Sequence, residues 1–203
     1  MPPFYRIARV VVNAVARVVL GFTVYGEERV PAEGPLVIAA NHRRFVDPII
    51  VSMAVPRWVK WMAKKELFSF GPFARVLYFV GAFPVDRQKG GRAALRRSME
   101  LLREGEALGI FPEGTRQRES LPRAQAKSGV AMLAVRTGAP VVPVYVGSIP
   151  GPLARLRGER LEIYIGDPIR IEEGVRGGEA YRKIAAGVLQ RIYDLRPEKE
   201  GGV

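Results

Sequence analysis

Leu36-Val37-Ile38-Ala39-Ala40-Asn41-His42-Arg43-Arg44-Phe45-Val46-Asp47-Pro48 runs five apolar residues straight into a charged loop that closes on a proline. The apolar run follows the turn-forming Glu33-Gly34-Pro35 and is too short for a helix, so it predicts a strand buried on both faces. Working outward, residues 78–84, 107–111, 141–146 and 161–165 read as further strands, and residues 92–103, 127–137 and 179–195 as helices. Strands that alternate with helical stretches predict an α/β fold with a mixed, largely parallel sheet covered by helices on both faces. No repeat, low-complexity tract or linker divides the chain, so residues 26–203 are expected to form a single domain.

The segment ahead of it differs. Phe4 to Tyr25 is apolar except at Arg6, Arg9, Asn13 and Arg17, whose spacing draws one polar stripe along a helix. The arginines interrupt any signal-peptide core and would be costly in the middle of a membrane span. Residues 1–25 are therefore expected to form an amphipathic interfacial helix, with a helix packed on its own domain as the alternative. A second membrane cue is Arg57-Trp58-Val59-Lys60-Trp61-Met62-Ala63-Lys64-Lys65, where tryptophan and cations mix as they do at the lipid head-group level.

Composition removes several chemistries. The chain of 203 residues has no cysteine and one histidine, which excludes disulfides, thiolate zinc sites, cysteine nucleophiles and multi-histidine metal centres. His42 is the one side chain whose ordinary titration range suits proton transfer near neutral pH. A net charge of +12 suits nucleic acid, anionic lipid or an acidic carrier protein alike.

His42 lies just past the predicted buried strand, where open α/β sheets place their ligand sites. On one continuous helix His42 and Asp47 would stand about 140° apart and never meet. Pro48, however, biases Asp47 away from helical angles and suits a first helical position, so Asp47 is expected to cap the helix that follows. Residues 41–47 then form a loop able to fold the Asp47 carboxylate onto the imidazole, holding one ring nitrogen protonated and leaving the other to accept a proton. Gly81-Ala82-Phe83-Pro84-Val85-Asp86-Arg87 is another strand end followed by charge. Gly109-Ile110-Phe111-Pro112-Glu113-Gly114-Thr115-Arg116-Gln117-Arg118 carries a strand into a loop whose glycine allows close backbone approach and whose arginines suit phosphate oxygens. Lys127 follows at the head of the next helix, where free amides also favour an anion.

These segments, followed by Val142-Pro143-Val144-Tyr145-Val146, resemble in order the four motif blocks of the glycerolipid acyltransferase family, of the 1-acylglycerol-3-phosphate acyltransferase type. The resemblance runs from about Val30 to Val146. It implies transfer of a fatty acyl group from acyl-CoA or acyl-carrier protein to the free hydroxyl of lysophosphatidate, giving phosphatidic acid, with no cofactor and no metal. His42 would be the general base and Asp47 its orienter. Arg87, Arg116, Arg118 and Lys127 would hold phosphate, while Glu113, Gly114 and Thr115 shape the loop or the acceptor site. The partners implied are a membrane lipid surface and the two substrates, with the enzyme peripheral or monotopic on the cytoplasmic face of the cell membrane. Arg44 departs from the pattern, since many members carry a small polar residue two positions after the histidine, and this bears on which acceptor binds.

Competing readings fit less well. A serine hydrolase lacks its Gly-x-Ser-x-Gly turn. A nucleic-acid module would want basic residues on a recognition helix or aromatics on an exposed sheet, so no nucleic acid is expected as a partner. A different lysolipid or glycerol phosphate as acceptor, or a non-catalytic lipid-binding protein on the same fold, remain the alternatives.

Overall fold

The structure is a computed structural model that describes residues 10–11, 21–85, 91–117, 126–172 and 174–197, apart from the side chains of Phe79 and Pro152. Its strands are β1 (Phe22–Tyr25), β2 (Leu36–Ala40), β3 (Val59–Lys64), β4 (Ala82–Val85), β5 (Ala107–Ile110), β6 (Val141–Val146) and β7 (Leu161–Ile165). The helices are α1 (Asp47–Ala54), α2 (Gly71–Phe79), α3 (Gly91–Arg103), α4 (Gly129–Thr137), the short α5 (Pro152–Leu156) and α6 (Gly178–Asp194). The strands form one sheet in the order β1-β7-β6-β2-β5-β3-β4. Every neighbouring pair is parallel except β6 and β7.

β2 is the axis of the fold. All five of its side chains are fully buried, as the uninterrupted apolar run requires of a central parallel strand. Leu36, Ile38 and Ala40 join Ile50, Val51 and Ala54 of α1 in one core. Val37 and Ala39 face the other way, into a second core built with Leu101 and Leu102 of α3, Val130 and Leu133 of α4, and Val188 and Ile192 of α6. The predicted α/β architecture, a mixed and mostly parallel sheet with helices on both faces, is the one observed.

Three local expectations change. Residues 78–84 do not form one strand. Gly71 and Pro72 open α2, which runs to Phe79, and Gly81 at φ +82° turns the chain into β4. A Cβ at Gly81 would collide with the Val59 carbonyl oxygen, so the glycine is needed by contact as well as by conformation. The tryptophan-and-lysine stretch at 57–65 is mostly β3, an interior strand between β5 and β4. Val59 and Trp61 point into the core, Lys60 Nζ lies over the Trp58 ring at 3.5 Å, and Lys64 is exposed, so the alternation is that of a strand and not of a head-group segment. Phe22–Tyr25, assigned by the sequence to the end of the interfacial helix, is β1 and pairs with β7, which moves the start of the α/β domain ahead of residue 22. The remainder of that expected helix lies outside the described residues apart from Val10, Val11 and Gly21. Among the described residues no helix is long and apolar enough to cross a membrane.

Candidate active site

β5, β2 and β6 lie side by side and end at the same edge of the sheet. The chain leaves β2 toward β3 on one side, and leaves β5 toward β6 on the other, so the strand order reverses here and opens a crevice at the carboxyl ends. Asn41 closes the base of that crevice. Its fully buried side-chain amide accepts the Val146 N–H at 2.7 Å and donates to the Val146 carbonyl at 3.0 Å, extending the β2–β6 pairing by one step through a side chain. His42 is thus the first residue past the sheet.

The loop after Asn41 curls so that Asp47 reaches His42. Asp47 Oδ2 accepts from His42 Nδ1 at 3.0 Å and from the main-chain N–H groups of Arg43 and Arg44 at 2.6 Å each. Asp47 is the first residue of α1 and not its cap; Val46 holds the cap position, and the carboxylate turns back toward residues 42–44 instead of forward along the helix. Its residue is fully buried, and Oδ1 has no hydrogen-bond partner among the described residues. With a carboxylate accepting at Nδ1, that nitrogen carries the proton and Nε2 is the free acceptor.

The imidazole is held from the side by a stack that sequence reading does not find. His42 lies on Phe111 with ring centroids 4.0 Å apart at 15°, and Phe111 on Trp61 at 4.9 Å and 20°. Trp61 is locked by donating Nε1–H to Ser52 Oγ at 2.8 Å. Gly109 makes room for it, since a Cβ there would stand 2.5 Å from the indole ring. A glycine inside the β5 pattern was the available signal, because such a glycine marks a close approach.

The loop after β5 grips His42 by its main chain. Glu113 Oε2 accepts the His42 N–H at 2.9 Å, and the Gln117 N–H donates to the His42 carbonyl at 2.7 Å. Glu113 is only 1% exposed, and its Oε1 accepts the hydroxyl of Tyr193 on α6 at 2.6 Å. Burial pushes its carboxyl above the usual carboxylate range, and the bonds from Tyr193 and His42 pull against that shift. Of the two roles expected for Glu113, its place behind the backbone matches loop architecture.

Gly114 turns at φ +72°, and a Cβ there would meet Lys127 Cγ at 2.9 Å, so the lysine stem passes over the glycine. The Lys127 N–H donates to the Pro112 carbonyl at 2.7 Å. Thr115, Arg116 and Lys127 are exposed on this loop, with Thr115 Oγ1 accepting from Gln117 Nε2 at 3.2 Å. The Arg44 guanidinium reaches the Gly147 carbonyl at 3.2 Å and that of Arg43 reaches Ser148 Oγ at 3.3 Å, tying both arginines to the end of β6. Arg87 and Arg118 lie outside the described residues.

A histidine bonded to a buried carboxylate, at the strand-order reversal of an α/β sheet and beside a loop bearing exposed cations, is an arrangement able to accept a proton at Nε2 next to an anionic molecule. The chain belongs to the acyltransferase family, whose model matches residues 21–147. It is 35% identical over 179 residues to the 1-acyl-sn-glycerol-3-phosphate acyltransferase of Bacillus subtilis, covering 86% of this chain and 88% of that protein. The human 1-acyl-sn-glycerol-3-phosphate acyltransferase beta is 32% identical over 134 residues, 64% of this chain and 47% of the human protein. Among solved structures, the 1-acyl-sn-glycerophosphate acyltransferase PlsC of Thermotoga maritima superposes with a TM-score of 0.70 at 25% identity, covering 96% of this chain and 81% of that one.

Proposed function

We propose that this enzyme transfers a fatty acyl group from a thioester, acyl-CoA or acyl-carrier protein, to the free hydroxyl of 1-acyl-sn-glycerol 3-phosphate, giving phosphatidic acid. The observation that carries the reading is the His42 Nδ1 to Asp47 Oδ2 contact of 3.0 Å at the crevice, in a chain whose full-length relative bears that activity in its name.

In this reading His42 Nε2 takes the proton of the acceptor hydroxyl as its oxygen attacks the thioester carbonyl. A C–O bond forms, the C–S bond breaks, and the proton passes from the imidazolium to the departing thiolate. Asp47 keeps the ring oriented and balances its transient positive charge. Proton transfer of this kind contributes about 10²- to 10⁴-fold, and positioning of the two substrates supplies much of the rest. The main-chain N–H groups of His42, Arg43 and Arg44 are already bonded to Glu113 and Asp47, so these three do not serve the negative charge on the reacting carbonyl. Arg116 and Lys127, together with Arg87 and Arg118, serve the phosphate, with Gly114 and Thr115 shaping the loop that carries it. So written, the reaction uses no cofactor.

The enzyme works at a membrane surface, peripheral or monotopic, on the cytoplasmic face where the thioester donors are. Exposed Phe45, Val46 and Phe70, with Leu153 and Leu156 at 74% and 85% exposure, support this. Each follows the carboxyl end of a parallel strand, which sets them on the His42 edge of the sheet. Arg155 and Arg157 accompany the two leucines, as an anionic lipid surface would favour.

Purified protein in detergent, given an acyl-CoA and lysophosphatidate, should release thiol only when the acceptor is present, and His42→Ala should abolish that release with its fold intact. Equal release without acceptor would make the protein a thioesterase. No release from either donor class with several lysolipids would remove the reading's main support.

A further inference from the structure

Both oxygens of the buried Glu113 carboxylate are taken, one by the His42 main chain at 2.9 Å and the other by the Tyr193 hydroxyl at 2.6 Å. Tyr193 stands in the last turn of α6, 80 residues further along the chain and beyond the 21–147 span of the family match. Its seat is fixed. α6 packs across β2, β6 and α4, and the Tyr193 ring meets Tyr145 of β6 edge-on with centroids 6.1 Å apart. A phenylalanine would keep that packing and lose the short hydrogen bond to Glu113.

We propose that Tyr193 is a positioning residue for acyl transfer: acting through Glu113, its hydroxyl ties α6 to the main chain of His42 and fixes the imidazole against its Phe111 stack. The inference rests on the reading of His42 as the base.

Glu113 has lost its hydration, and the two donors replace it. Facing this carboxylate are the His42 amide and ring and the Asp47 carboxylate from the β2–α1 loop, and Tyr193 from α6, while Arg43 and Tyr145 act on the phenol. Burial and the bond to Glu113 push the Tyr193 phenol far above its ordinary range, so it stays a donor wherever the enzyme works. Without that hydroxyl, Oε1 is a buried acceptor with no donor, the carboxyl protonates more readily, and the neutral acid is a weaker acceptor for the His42 N–H. Activity that needs ionised Glu113 is lost as pH falls, so removing the hydroxyl moves that loss to higher pH.

The test is Tyr193→Phe in the full chain, assayed with acyl-CoA and lysophosphatidate across about pH 5 to 9 beside wild type, His42→Ala and Glu113→Gln. The expected result is a folded protein whose kcat falls about ten- to hundredfold, the worth of a hydrogen bond to a charged group, with KM unchanged and the acidic limb displaced upward. In the Glu113→Gln background the same substitution should produce no displacement, because nothing is left to titrate there. Wild-type kcat and an unmoved acidic limb in Tyr193→Phe overturn the inference. Should that variant not fold, 4-fluorophenylalanine at position 193 keeps the ring and its para substituent without a donor, and wild-type turnover there overturns it equally. The two readings fail separately: acceptor-dependent turnover in His42→Ala brings down the base assignment, whereas a dead His42→Ala beside an unaffected Tyr193→Phe brings down only this one.

Discussion

Asp47→Asn separates the charge of the carboxylate from its shape. Three donors converge on Oδ2: His42 Nδ1–H at 3.0 Å and the amides of Arg43 and Arg44 at 2.6 Å. An asparagine can turn its oxygen or its nitrogen toward them. Turning the nitrogen inward would set an NH₂ against two main-chain N–H groups that have nowhere to rotate, at about 1–3 kcal/mol for each orphaned donor. Turning the oxygen inward keeps all three bonds and strands only one NH₂ at the buried Oδ1 position, which has no partner among the described residues. The second orientation costs less, so the histidine keeps its tautomer and loses only the charge assistance. A hydrogen bond to a charged group contributes about 1.5–3 kcal/mol, which sets the expected loss at about 10- to 150-fold in kcat, with KM for both substrates moved less than about threefold. Thiol release under saturating acyl-CoA and lysophosphatidate measures it, with circular dichroism confirming the fold. A variant within about threefold of wild-type kcat would refute the role of the charge. A loss near 10⁴-fold would refute the oxygen-inward argument, because that is the scale of a wrong tautomer.

Asn41→Ala leaves the N–H and carbonyl of Val146 unpaired at a fully buried position, so it should destabilise the protein by about 2–5 kcal/mol in a denaturant titration. Gly109→Ala drives a methyl group into Trp61 and, through Phe111, against His42; a fall of about 3–10 °C in Tm is expected together with reduced kcat, and a variant that loses stability alone would show the stack does not orient the base. Glu113→Gln should lower kcat without lowering Tm near neutral pH, since it removes a buried charge and still offers groups to the His42 amide and Tyr193. Because burial raises the folded-state carboxyl above its unfolded value, the folded protein binds that proton more tightly, and Glu113 makes wild-type stability fall as pH rises through the window between the two values. That slope should be shallower in Glu113→Gln when Tm is followed against pH.

How much of this was legible depends on how local each signal was. Leu36–Ala40, Val141–Val146 and Leu161–Ile165 are legible to the residue, because each is an apolar or alternating run bounded by turns and too short for a helix. β3 is not legible because Lys60 and Lys64 interrupt its apolar residues, and tryptophan beside lysine is equally a membrane-surface pattern. α2 and β4 are not separable in the sequence because the helix is apolar almost to Gly81, where only the backbone turn divides them. At the site, His42 and Asp47 lie five residues apart, and a proline made their loop inferable. Phe111 on Trp61 and Tyr193 on Glu113 are meetings across distant segments, and nothing in the spacing of those residues announces a partner.

The antiparallel pairing of β6 with β7 sets the rim of the sheet at which β1 begins. β7 reverses against β6, and β1 then copies β7 with Phe22 opposite Leu161, so the chain enters β1 from the same rim that carries His42. Parity does this: with no reversal, or with two, residue 21 would emerge at the opposite rim. Residue 21 and the crevice therefore lie at one rim of the sheet. Gly21 is thus separated from His42 by the width of the sheet and not by its depth.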